Sequence, residues 1–163
     1  MVAYDPSEWH DLFVATAGAS AALAGLVFVA ISINIERILA LRGVPERGLE
    51  TILLLLLVLI VSVVGLIPAQ GHLALGLELL ACAFVISAVV VRLPPIRATG
   101  EEPRGSIAVR WVIRLTGTGL FLIGGLSLLA EAGGGLYWVV AGIVFATAGA
   151  VASAWVLLVE ILR

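Results

Sequence analysis

The sequence predicts an all-α integral membrane protein of five transmembrane helices, with the N-terminus outside and the C-terminus in the cytoplasm. Three observations predict it. Of 163 residues, 62% are hydrophobic and only 12% are charged, about half the charge of a soluble domain, so most of the surface must face something other than water. The apolar residues gather in five runs separated by short polar stretches, each run long enough to cross a hydrocarbon core of about 30 Å as a helix. All nine basic residues are arginines, and they occupy only every second polar stretch.

The first run covers residues 12–35. Asp5-Pro6-Ser7-Glu8 has the form of a helix start, with a capping acid, proline in the first turn and a further acid behind it. Gly43 and Pro45 read as a stop, so one helix is expected from about Pro6 to Arg42, roughly 55 Å long at 1.5 Å per residue. The segment before the run is acidic (Asp5, Glu8, Asp11) and lacks a basic start, so the run is read as a span rather than a cleavable signal.

Spans two (51–67) and three (73–91) are joined by the short turn 68–72, and spans four (111–130) and five (136–159) by 131–135. Turns this short force each pair into an antiparallel hairpin. Pro94-Pro95 and residues 99–106 are expected to form the one real loop. Residues 1–163 are thus a single transmembrane helical domain.

Orientation follows from charge. Arg37, Arg42 and Arg47 lie between spans one and two. Arg92, Arg97, Arg104 and Arg110 lie between three and four, Arg114 sits just inside span four, and Arg163 ends the chain. The N-terminal segment and both hairpin turns hold none. Positive loops stay cytoplasmic. Trp9, Tyr137 and Trp138 would then mark the outer interface and Trp111 and Trp155 the inner one. A net charge of −2 argues against nucleic acid as a partner. The lone Cys82 rules out an internal disulfide and reads as a small packing residue.

Small residues define the packing surfaces. Ala17, Ala21 and Gly25 lie four apart in span one with Gly18 and Ala22 beside them, and Gly142, Ala146 and Ala150, with Gly149 and Ser153, repeat the device in span five. In lipid, close backbone approach replaces hydrophobicity as the force that joins helices. Two such helices in one small bundle point to packing within the chain and to a homo-oligomer.

Residues Glu8-Trp9-His10-Asp11-Leu12-Phe13-Val14-Ala15, followed by 18–34 with their run of small residues and the ending Ala30-Ile31-Ser32-Ile33-Asn34, carry a resemblance. This opening, clearest over residues 8–37, resembles that of an uncharacterised family of small polytopic membrane proteins of actinobacterial type, and the arginine-only basic set fits such a genome. The resemblance implies a multi-pass protein of the bacterial cytoplasmic membrane and transfers no catalytic residue and no cofactor.

Glu78 is the leading candidate for chemistry, because an ionisable group inside a span is expensive and marks function by default. Ala74, Ala81, Val85 and Ala88 share its face, which predicts that it meets another helix. Ser62, at matching depth across the hairpin, is the expected partner, as interhelical glue or as part of a proton- or cation-handling site. Thr16, Ser20, Ser32 and Asn34 could line a pore if several copies surrounded an axis with helix one innermost. Arg110 and Arg114 are placed to reach anionic lipid headgroups. His10, Asp11, Gln70, His72 and Glu131 fall on the outer face in no metal-ligand spacing, so no metal site is read there. No Ser/His/Asp set, HExxH, phosphate loop or dinucleotide glycine pattern occurs. The expectation is a non-enzymatic, self-associating membrane module that binds or regulates other membrane components, with a homo-oligomeric ion channel as the alternative.

Overall fold

The computed structural model describes residues 2–40, 44–92 and 104–162, and for 104–114 and 156–162 the backbone alone. Two short 3₁₀ turns, Val2–Tyr4 and Pro6–Trp9, precede six helices: α1 His10–Ile33, α2 Ile35–Ala40, α3 Val44–Gly65, α4 His72–Arg92, α5 Arg104–Ala130 and α6 Leu136–Leu162. No strand occurs among the described residues. Four helical segments are long and apolar enough to cross a membrane: Pro6–Ile33, Val44–Gly65, His72–Arg92 and Leu136–Trp155. The described side chains of α5 add the shorter apolar stretch Leu115–Ala130.

Helices α3, α4, α5 and α6 form a ring in which each packs against the next, and α1 lies outside it, chiefly against α3. The core follows. Leu57, Val58, Leu75, Leu79, Ala83, Phe121, Leu128, Leu136, Val139 and Ala146 are fully buried at the ring's centre. Phe13 is the α1 residue that joins them. Apolar side chains such as Leu26, Phe28, Ile33, Phe84, Val144 and Trp155 line the outside, as a helix bundle solvated by lipid requires.

Both short turns fall where the sequence puts them, but several helix ends do not. The proline cap at Asp5 forms on the 3₁₀ turn, with Pro6 in its first position, and the α-helix begins four residues later, at His10. Nor is helix one continuous. It breaks at Asn34, whose Nδ2 donates to the Ala30 carbonyl (3.0 Å) while its N–H bonds the Ile31 carbonyl (3.2 Å). A short amide side chain that bonds the preceding turn competes with the regular ladder, and α2 restarts beyond it. Pro45 lies in the first turn of α3, so it opens the second helix instead of merely ending the first, and α3 begins ahead of the span expected from 51. Likewise Arg104, Gly105 and Ser106, expected in a loop, start α5. Pro94, Pro95 and Arg97 lie outside the described residues.

The two small-residue stripes have opposite fates. In α6, Gly142, Ala146, Gly149 and Ala150 are buried, with Gly142 set against the ring of Phe121. In α1, Gly18, Ala21, Ala22 and Gly25 are exposed, and a Cβ built on Gly18 or Gly25 would meet nothing within 4 Å.

Candidate polar site at the arginine-free end

Three chain segments converge at one end of the bundle: the N-terminal 3₁₀ turns, the 66–71 connection and the 131–135 turn. The last is shaped by backbone that only glycine adopts at ease, with φ of 84°, 111° and 51° at Gly133, Gly134 and Gly135. Ser127 Oγ holds it, donating to the Ala132 carbonyl and accepting from Gly135 N–H (2.8 Å). The N-terminus straps across this turn. Gly134 N–H donates to the Tyr4 hydroxyl (3.2 Å), and Trp9 meets the Tyr137 ring edge-on with centroids 4.9 Å apart. Tyr4 and Ser127 carry no motif and were not singled out by sequence. Their roles depend on a contact across more than a hundred residues and on the local turn geometry.

Between these segments lies a cleft of about 560 Å³ bounded by Tyr4, Asp5, Gln70, His72 and Glu131 among others. His72 Nε2 lies 2.9 Å from Glu131 Oε1, joining the two hairpin turns, although the contact is not aligned as a hydrogen bond. Asp5 accepts from both Ser7 N–H (3.0 Å) and Ser7 Oγ (2.6 Å), which hold its carboxyl below the usual carboxylate range. A lowered folded value means that the contribution to folding is present above the unfolded value and is lost as pH falls through the folded one. The expected result is that the N-terminal turn loosens below about pH 4. Trp9, whose Nε1–H bonds the Val2 carbonyl (2.7 Å), should report this by fluorescence, and Asp5→Asn should abolish the acid transition. An acid transition of the same midpoint in Asp5→Asn would refute the assignment.

Of the outer-face residues read from sequence, Gln70, His72 and Glu131 come together here, while His10 and Asp11 are exposed on the first turn of α1 and do not border the cleft. Among the described residues no group of three His, Cys, Asp or Glu side chains could hold a metal ion.

Glu78 and Ser62 are not partners. Gln70 Nε2 donates to Glu78 Oε2, whereas Ser62, fully buried, exchanges a 2.8 Å hydrogen bond with Thr16 of α1 and also donates to the Val58 carbonyl (2.8 Å). The face assignment of Glu78 is corrected too. Ala74, Ala81 and Val85 are exposed and Ala88 is half-buried, while α4 turns Leu75, Leu79, Ala83, Ile86 and Val90 into the bundle. Small residues beside an acid suggested a helix contact, but the bulky residues on the other side make it. Glu78 itself is half-buried at the edge of the outward face.

The four residues considered as a pore lining do not share a direction. Thr16 and buried Ser20 turn toward α3, and Ser20 Oγ donates to the Thr16 carbonyl (2.7 Å). Ser32 is exposed and bonds the Phe28 carbonyl (2.8 Å), and Asn34 marks the helix break. Arg110 and Arg114 lie in α5, with side chains outside the described residues.

The class this defines is a multi-pass helical membrane protein, carried by several long apolar helices. Comparison with protein-family models, curated proteins and solved structures returns no match.

Proposed function

We propose that the chain is a non-enzymatic, self-associating module of the bacterial cytoplasmic membrane, which binds or regulates other membrane components through contacts between helices. The single observation that carries this reading is the α1 face of Gly18, Ala21, Ala22 and Gly25. It faces away from the protein's own bundle with open space above both glycines, while the equivalent stripe of α6 is used up internally. A bare small-residue face offers lipid few contacts but lets another helix approach closely. The proposed topology has five spans, the N-terminus outside and the C-terminus inside. It draws on the segregation of arginine: Arg37, Arg47, Arg92, Arg104 and Arg110 sit at helix ends away from the cleft, which has none.

Because Gly18 and Gly25 meet nothing within the protomer, Gly25→Leu and Gly18→Leu should leave the helical content and thermal stability of the protomer unchanged. The expected result in mild detergent, by light scattering after gel filtration, is an oligomer for the natural chain and a monomer for the double variant. A natural chain that is monomeric at every concentration, or an oligomer indifferent to both substitutions, would overturn the reading.

A further inference from the structure

We propose that Glu78 and Gln70 form a lateral binding site for a phospholipid whose headgroup ends in a primary ammonium, of the ethanolamine class. The position of the carboxyl suggests it first. Glu78 lies two turns into α4, about 9 Å below the helix start by rise, and helical side chains tilt toward the N-terminus, here the end carrying the cleft. The carboxyl therefore rises toward the headgroup boundary. It stands at the edge of a face that no helix covers among the described residues, since Ala74 one turn above and Ala81 one turn below are both exposed. A ligand for it arrives from the bilayer, along the notch these two alanines leave.

The chemistry of the groups then selects the headgroup. One carboxyl oxygen of Glu78 is taken by Gln70 Nε2. Gln70 Oε1 beside it is buried and has no hydrogen-bond partner among the described residues. The second carboxyl oxygen and Gln70 Oε1 can only accept, so the ligand must bring donors. The charged neighbours at this end are acids, Asp5 and Glu131, with His72 against Glu131, and the sequence places no arginine here. An anionic headgroup is disfavoured and a cation drawn in. A primary ammonium carries three N–H donors, whereas a trimethylated one carries none. Among cationic headgroups, the first can donate to the Glu78 carboxylate that Gln70 holds, and the second cannot. This inference requires only that α4 spans the membrane and does not rest on self-association.

The test uses the full-length chain in mild detergent with equal amounts of dioleoyl phosphatidylethanolamine and dioleoyl phosphatidylcholine, counting retained lipids by native mass spectrometry. A preference for the ethanolamine lipid of about fivefold is expected, the upper range for a partly exposed ion pair. It should fall to parity in Glu78→Gln and persist in Glu131→Gln. Should Glu78→Gln fail to fold, the natural chain still decides the matter, since successive N-methylation of the ethanolamine lipid should erode the preference step by step. Equal retention of both lipids, a preference that survives Glu78→Gln, or one indifferent to N-methylation would overturn the proposal. So would displacement of the lipid by excess soluble phosphoethanolamine, which would make the ligand a free amine and not a membrane lipid.

Discussion

Gly125→Leu is expected to break the pairing of α4 with α5 and to destabilise the bundle by about 3 kcal/mol or more, at or beyond the upper range for overpacking. At this crossing the two backbones touch. A Cβ on Gly125 would sit 2.8 Å from Leu80 Cγ and 3.0 Å from the Gly76 carbonyl oxygen, and one on Gly76 would lie 3.1 Å from the Gly125 carbonyl oxygen. Leu80 could rotate away, but a helical carbonyl cannot, so the helices themselves would have to part. Parting them would open the layer of Leu75, Leu79 and Leu128, all fully buried. Gly119 of the same helix provides the control, because its Cβ would meet nothing within 4 Å. Reversible unfolding in mixed detergent micelles should therefore show Gly125→Leu severely weakened and Gly119→Leu near the natural chain. Equal stability of the two would refute the close crossing.

These contrasts show where sequence was sufficient and where it was not. The apolar runs and their hairpin turns were legible because hydrocarbon demands long helices and because Gly133, Gly134 and Gly135 in a row announce a turn. Hydropathy, however, scores a residue without saying which way it faces. That is why the α1 and α6 stripes read alike although one is buried and the other open, and why Glu78 was assigned to a helix contact on its exposed side. The partner of Ser62 was decided by register. Phe13 packs on Gly65, Thr16 bonds Ser62 and Ile31 touches Gly48, so the paired numbers sum to 78 or 79 along an antiparallel crossing of α1 and α3. Depth alone matched Ser62 to Glu78 as well as to Thr16. Only the choice of neighbouring helix separates them, and in a bundle of several helices that choice is a tertiary fact. The break at Asn34 was legible in principle, since asparagine competes for backbone bonds, but a strong apolar run on one side and α2 on the other concealed it.

That same crossing supports the second large effect, the release of α1 by Gly65→Leu. Phe13 is 1% exposed, and its ring carbons Cε2, Cδ2 and Cζ lie 2.6, 2.7 and 2.8 Å from where a Gly65 Cβ would be. The ring occupies the space of the missing side chain. Any larger residue at 65 must expel it and loosen the N-terminal half of α1, where the Thr16–Ser62 bond nearby is of a kind that averages about 0.6 kcal/mol within membranes. Phe13→Ala should cost about 3 to 5 kcal/mol by leaving a cavity. The two changes are complementary in shape, because leucine at 65 can fill much of what alanine at 13 vacates. The double variant should then be more stable than the sum of the single effects by about 1 to 3 kcal/mol, the range for residues in direct contact. Hydrogen exchange should locate the damage, with α1 amides from His10 to Ser20 losing protection in Gly65→Leu while those of α4 and α6 keep theirs. Strict additivity of the two substitutions, or loss of protection spread evenly over the ring, would show that α1 is not held at this notch.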